Sequence, residues 1–247
     1  MDERNRAAAL SAVQRWAVGD DQQRMVAVAS ADNAPRLHRE VWPAVNALIA
    51  AAADRGFSLR IASGFRSFER QLAIWNAKLS GARAVLDDDG QPVAIERLNA
   101  AQQVAAVLRF SALPGASRHH WGSDFDVYDA ASLPAGYTLQ LTAQEYQPGG
   151  VQAEFGRWLQ QLLATDSDHP LAAIFYRPYS VDRGGVAIEP WHLSHRAVAA
   201  QVAPHCTVEL LRRRLSHCQL AQREFVLAEL PALWQRYIHP LNNETEQ

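Results

Sequence analysis

Apolar and polar positions repeat with two different periods along this chain, and the switches between them outline its elements. Ala8, Leu10, Val13 and Trp16 give an apolar face to a helix over residues 4–16, and Met25–Ser30 is short and apolar enough for a strand. Residues 37–54 read as the first long helix, with Gly56 as its stop signal. Phe57–Ala62 alternates apolar with polar and predicts a half-buried strand. Ser67 is placed to cap a helix running through Leu79 and ending at Ser80-Gly81. Asp87-Asp-Asp-Gly90 makes a turn, residues 94–109 are helical, and Leu113-Pro-Gly115 leads into a polar segment. Phe125–Tyr128 predicts a strand, Val151–Leu163 a helix, and Ala172–Tyr176 and Val186–Glu189 two more strands. From Ser194 to about Ile238 the pattern is helical, broken near Pro204 and Pro231, before a polar tail at Asn242–Gln247. No repeat or linker divides the chain. The expectation is one α+β domain over 1–247: a small, mainly antiparallel sheet with helices packed on it.

Composition narrows the picture by exclusion. Of 247 residues, 48% are hydrophobic and 20% charged, as in ordinary globular proteins. Lys+Arg 24 against Asp+Glu 26 leaves a net charge of -2, which advertises neither nucleic acid nor an anionic membrane surface. No apolar run is long enough to span a bilayer or to form a secretory h-region, so the chain reads as cytoplasmic; a periplasmic protein whose leader had been removed would read the same way. Cys206 and Cys218 lack the Cys-x-x-Cys spacing of a structural zinc site and are expected as reduced thiols. The acidic run at Asp87–Asp89 lacks the alternating ligands of a calcium loop and is expected to be a solvated turn.

The chemistry concentrates in two segments. The first is Ser117-Arg-His-His-Trp-Gly-Ser-Asp-Phe-Asp126, the second Glu189-Pro-Trp-His192. Asp124 and Asp126 share one face of a strand, and His119 sits in the loop before it, with Gly122 permitting a tight turn. His119, Asp126 and His192 form a facial ligand set for a catalytic zinc, whose fourth position is left to water. Glu189 is free to take that water's proton as general base. Trp191 lies between the base and a ligand and is a candidate substrate contact.

With these residues in view, Ser117-x-His119-x-x-Gly122-x-x-x-Asp126 followed by Glu189-Pro-Trp-His192 resembles the VanY-type zinc D-alanyl-D-alanine carboxypeptidases, with the VanX dipeptidases as cousins. Residues 63–71, Ser-Gly-Phe-Arg-Ser-Phe-Glu-Arg-Gln, are similar to an upstream segment of that family. The resemblance spans about 57–193 and leaves a helical C-terminal extension, about 194–240, outside it. It implies a hedgehog-like peptidase fold, one zinc per chain held by His119, Asp126 and His192, and Glu189 as the base. It further implies that Arg66 steadies the oxyanion or the substrate's carboxylate, and that Gln71 and Ser117 contact the peptide's C-terminal end. One departure stands out: the family usually has alanine where this chain has Asp124. That carboxylate either meets an amine on the substrate, such as a diaminopimelate side chain, or pairs with Arg118 or Arg183. His120 is expected to point away from the ligands, and His195 to reach the site only if a helix has begun by that residue. Tyr176 and Tyr179 line the groove or simply pack.

The resemblance implies a peptidoglycan-derived peptide as the partner and removal of a C-terminal D-amino acid as the reaction. The cytoplasmic character of the chain favours an L,D-carboxypeptidase that releases D-alanine from recycled murein tetrapeptides. D,D-carboxypeptidase, D,D-dipeptidase and crosslink-cleaving endopeptidase activities are the alternatives within the class. A zinc-containing binding module is the alternative outside it, and such a module has no need of Glu189 or Arg66. The oligomeric state is not legible, nor is whether the C-terminal helices cover the sheet, dimerise or wall the site.

Overall fold

The computed structural model describes residues 10–29 and 34–239. Its elements run α1 (Ala12–Ala17), β1 (Met25–Ala27), β2 (Arg36–His38), α2 (Trp42–Ala53), β3 (Leu59–Ser63), α3 (Phe68–Leu79), α4 (Ala100–Leu108), β4 (Asp124–Asp129), α5 (Ala143–Tyr146), α6 (Ala153–Leu162), α7 (Pro170–Ile174), β5 (Phe175–Tyr176), β6 (His192–His195), α8 (Arg196–Val202), α9 (Val208–Ser216) and α10 (Arg223–Tyr237). A single-turn 3-10 helix, Arg118–Trp121, precedes β4. The fold is α+β: a four-stranded antiparallel sheet in the order β3-β4-β6-β5, a separate β1-β2 ribbon, and helices around them.

Alternation along β4 and β6 explains the placement of the site. Phe125, Val127 and Leu193 are fully buried on one face, while Asp124, Asp126, His192 and Ser194 project from the other. Register sets Asp126 directly opposite His192 and Asp124 opposite Ser194. Ser63 of β3 pairs with Asp126 across a bulge, so three strands meet at one level.

Several boundaries shift from the pattern-based expectation, each for a local reason. The helix expected from residue 37 starts at Trp42, because Arg36–His38 is used as a partner for β1. Of the expected helix over 4–16, residues 4–9 lie outside the described residues, and α1 occupies Ala12–Ala17 behind a Ser11–Gln14 capping box. The helix expected over 94–109 splits at Asn99, which caps α4 and leaves a 3-10 turn at Ile95–Arg97. Pro170 starts a helix where a strand was expected, and only Phe175–Tyr176 is extended. Val186–Glu189 is not a strand either. Its amides reach out singly, Ala187 to the Arg109 carbonyl and Glu189 to the Tyr179 carbonyl. The extended segment comes just after it, at His192–His195, so the helix begins at Arg196 rather than Ser194. Pro231 does not break α10. The Leu227 carbonyl that its missing N–H would have engaged accepts instead from the Arg212 guanidinium at 2.8 Å. No helix of the described residues is long and apolar enough to cross a membrane, no disulfide joins Cys206 and Cys218, and the polar tail Asn242–Gln247 lies outside the described residues.

Candidate active site and metal centre

The 3-10 turn that carries His119 is clamped from both sides. Trp16 donates its indole N–H to the Trp121 carbonyl at 2.9 Å, and Trp121 returns a bond to the Ala17 carbonyl at 3.2 Å. Gly122 ends the turn with φ 69°, a left-handed conformation. A side chain there would also meet the Met25 sulfur at 2.4 Å and the His38 backbone nitrogen at 2.9 Å. This close approach lets the loop turn directly into β4.

One ligand atom from each of His119, Asp126 and His192 lies within 4.8 Å of the other two, and all three residues are buried. The imidazoles stand edge to face with centroids 4.8 Å apart. His119 Nδ1 lies 2.9 Å from the Gly64 carbonyl, which fixes its proton there and leaves Nε2 facing Asp126 at 3.4 Å. His192 is turned the other way, with Nε2 3.1 Å from Asp124 Oδ1 and Nδ1 3.0 Å from Asp126 Oδ1. Despite that last distance, the angles make no hydrogen bond, and His192 Nδ1 and Asp126 Oδ1 are buried without a partner. Buried polar atoms are rarely left so. Two imidazole nitrogens, each ring oriented by an outer hydrogen bond, together with a carboxylate fit a divalent transition metal.

Charges around the centre are strongly shifted. Burial pushes the Glu189 carboxyl up to about 7, against the pull of His192. Its side chain is 13% exposed and lies 3.5 Å from His192 Nδ1. Burial opposes protonation of His192, but the hydrogen bond to Asp124 and the close Asp126 carboxylate override it and raise this imidazole to about 9. His119 has less such help, and burial takes it down to about 4.

Asp124 does not line the cavity. It is fully buried beneath His192, away from the cavity, and accepts from Arg118 Nε at 2.7 Å, Ser194 at 3.0 Å and Ser123 at 2.5 Å. Arg118, equally buried, also bonds Tyr176 and Ser194 and lies over the Trp121 ring. A carboxylate behind a ligating histidine fixes its tautomer and makes it a better ligand. Gln71, too, is absent from the cavity lining. It is sealed from the cavity and bridges Arg66, at 2.8 Å, to the Ala112 carbonyl, at 2.7 Å, so it orients the guanidinium rather than the peptide. His120 takes a Gly115 N–H on Nε2 at 2.9 Å and sits 2.6 Å from the Arg66 carbonyl through Nδ1, pinning the loop of Arg66 to the loop of His119. Burial lowers it to about 3, so it is neutral. His195 ends β6 and caps α8 through Nδ1.

Arg66, Ser117, His119, Asp126, Glu189, Trp191 and His192 all open onto one cavity of about 420 Å³. Tyr179 lies in its wall with its ring 4.7 Å from that of His192, and its carbonyl holds the Glu189 amide. Pattern alone had left Tyr179 undecided and had not singled out Lys78, Arg83, Tyr237 or Ile238, which also line the cavity. The last two are the final residue of α10 and the residue that follows it, so the C-terminal extension walls the site. Arg236 ties that end of α10 to the Gly184 carbonyl at 2.7 Å.

Comparison with known proteins agrees with this layout. The chain aligns with two proteins of Haemophilus influenzae, each described as an uncharacterized protein. One is 46% identical over 77 residues, 31% of this chain and 53% of that relative. The other is 29% identical over 126 residues, 51% of this chain and 92% of that relative. The chain thus spans about half the length of the first. Among solved structures it is similar to a mutant vancomycin resistance D,D-pentapeptidase VanY in complex with Zn(II), at TM-score 0.47 and 22% identity, covering 83% of this chain and 92% of that one. It is also similar to the LdcB LD-carboxypeptidase, at TM-score 0.47 and 20% identity, covering 82% and 77%. The VanY family profile, described as D-alanyl-D-alanine carboxypeptidase, matches residues 34–198. That span is more than half of the chain and contains the three clustered ligand residues, Arg66 and Glu189. The chain belongs to the VanY family of D-alanyl-D-alanine carboxypeptidases.

Proposed function

We propose that this protein is a zinc-dependent carboxypeptidase that releases the C-terminal D-alanine of peptidoglycan peptides, acting as an L,D-carboxypeptidase on murein tetrapeptides. The carrying observation is the pair of partnerless buried atoms, His192 Nδ1 and Asp126 Oδ1, beside Glu189 in one cavity. Zinc at His119, Asp126 and His192 would supply Lewis acidity to the scissile carbonyl and to the attacking water. Glu189 accepts a proton from the water at its carboxylate and passes it to the leaving amine. Arg66, held by Gln71 and Ser63, brings a fixed cation to the cavity for the charge that develops on the carbonyl oxygen. Trp191 and Ser117 supply apolar and hydroxyl wall.

The L,D reading is supported by the charge of the wall. The residue before the terminal D-alanine of a tetrapeptide is a diamino acid, and Asp87 on the cavity wall offers a carboxylate to its side-chain ammonium. A D-alanine in that position brings only a methyl group. The D,D reading is favoured by the family's own description. The α10 wall speaks against a crosslink-cleaving endopeptidase, which needs room past the bond, and the presence of Glu189 and Arg66 speaks against a non-catalytic zinc module. A location in the cytoplasm, among soluble recycled fragments, belongs to the same proposal and is testable by cell fractionation.

Purified protein with zinc is incubated with murein tri-, tetra- and pentapeptides, and the released amino acids are identified by mass. D-alanine from the tetrapeptide is expected; release from the pentapeptide alone selects the D,D reading. Glu189→Gln is expected to abolish release with bound zinc unchanged. Turnover retained in that variant, or no release from any peptide, overturns the proposal.

A further inference from the structure

Four cations line the cavity: Arg66, Lys78, Arg83 and Arg118, the last of them buried and paired with Asp124. Arg66 is already committed to Gln71 and Ser63. Lys78, in the last turn of α3, is half-buried, and among the described residues its ammonium has neither an ion pair nor a hydrogen bond. Burial, with a further push from Arg83, lowers it to about 8, while Glu189 pulls the other way. The Arg83 amide bonds the Ala77 carbonyl at 2.9 Å, folding the chain back over the end of α3 so that both side chains reach the same cavity. A desolvated ammonium beside a second cation is costly, and a bound anion relieves both charges at once.

We propose that Lys78, backed by Arg83, seats the free carboxylate at the C-terminal end of the substrate. This inference rests on the carboxypeptidase reading and names a specificity-determining residue for it. The terminal carboxylate of the leaving residue lies two bonds beyond the scissile nitrogen, so its counter-ion must stand near the hydrolytic groups. Lys78 meets that condition, because it lines the same cavity as Glu189 and Arg66. Gln71, expected to serve the peptide's end, is shut behind Arg66 and cannot. An ammonium on a flexible stem recognises a carboxylate as a point charge and distinguishes it from a neutral amide.

The test uses full-length, zinc-loaded Glu189→Gln protein, so that peptides bind without turnover, and reads affinity by calorimetry. Three tetrapeptides are compared: the free acid, the C-terminal amide, and the acid with its glutamate α-carboxylate amidated. The acid and the glutamate-amidated peptide are expected to bind alike, and the C-terminal amide about 10- to 100-fold more weakly. Adding Lys78→Met is expected to erase that preference, Lys78→Arg to keep most of it, and Arg83→Gln to weaken it a few-fold; circular dichroism checks each fold. A Lys78→Met protein that still prefers the acid overturns the assignment. So does a loss confined to the glutamate-amidated peptide, or a parent that does not favour the acid over the amide. Failure of the carboxypeptidase reading is distinguishable, since it appears as no D-alanine released by the wild type while the acid preference in binding persists.

Discussion

At the corner where β3, β4 and β6 meet, the polar atoms that turn away from the cavity have buried partners, whereas the cavity rim is tied by exposed ion pairs. His119 leans on the Gly64 carbonyl, His192 on Asp124, and Asp124 on Arg118, whose side chain is 2% exposed. On the rim, Arg109 bridges Asp88 and Asp182, side chains exposed by 22%, 60% and 38%. In the low-dielectric corner, removing one partner strands the other's charge. On the wet rim the same loss is screened, and a pair contributes about 0–1 kcal/mol. Corner and rim are therefore separately perturbable parts of the molecule.

The largest break in this contrast is expected from Asp124→Ala. Arg118 would be left buried and without its carboxylate, destabilising the fold by about 3–5 kcal/mol, and His192 would lose the hydrogen bond that fixes its ring. Zinc affinity, measured by competition with a chelator, is expected to fall about 10- to 100-fold. Pairing the change with Arg118→Met separates the two effects, recovering much of the stability in denaturant titrations without recovering the zinc affinity. A single variant that binds zinc as tightly as the wild type would mean that Asp124 serves packing alone.

A smaller but sharper effect follows from Glu189. Its carboxyl is raised by burial to about 7 in the metal-free protein, and only the ionised form can accept a proton. Activity is therefore expected to be full above that range and lost as pH falls through it. A bound cation favours the carboxylate, so in the zinc-loaded enzyme the acid limb of kcat/KM is expected at or below 7. The rim variants should leave this limb in place. A rate that climbs as pH falls below 6 would remove Glu189 from its role.

How much of this was legible in the sequence differs between the same two regions. The ligand residues, Glu189 and the Gly122 turn stood in short motifs, where residue type nearly dictates role, and the Ser67 cap of α3 was equally local. What the motifs lacked was the side of His192 on which a neighbour lies. Asp124 and Asp126 share a strand face, yet one stands behind the ring and one in front, a consequence of pairing with a strand 68 residues away. Gln71 shows the same limit: its type suits a peptide or an arginine, and packing sets it against Arg66. The rim was least legible, because Lys78, Tyr237 and Ile238 reach the cavity from helices whose spacing says only that they are amphipathic. Pro231 shows the limit from the other direction, since its helix persists through an arginine supplied by another helix.

The smallest expected effect tests the rim itself. Arg109 holds the Asp87–Gly90 turn, through Asp88, to the Asp182–Gly185 turn that leads to Glu189, and it also donates to the Gly185 carbonyl at 3.1 Å. Its hydrogen bond draws the Asp182 carboxyl down to about 2, so the pair is ionised throughout the working range. Arg109→Met is expected to cost no more than about 1 kcal/mol in a denaturant titration, because these charges are largely solvated. The freed turns would widen the cavity mouth and raise KM a few-fold, with kcat unchanged, since no ligand, base or oxyanion group moves. High salt should reproduce part of the KM change in the wild type and none in the variant. A kcat collapse comparable to that of Asp124→Ala would instead mean that the latch holds Glu189 in place, and rim and corner would then have to be treated as one unit.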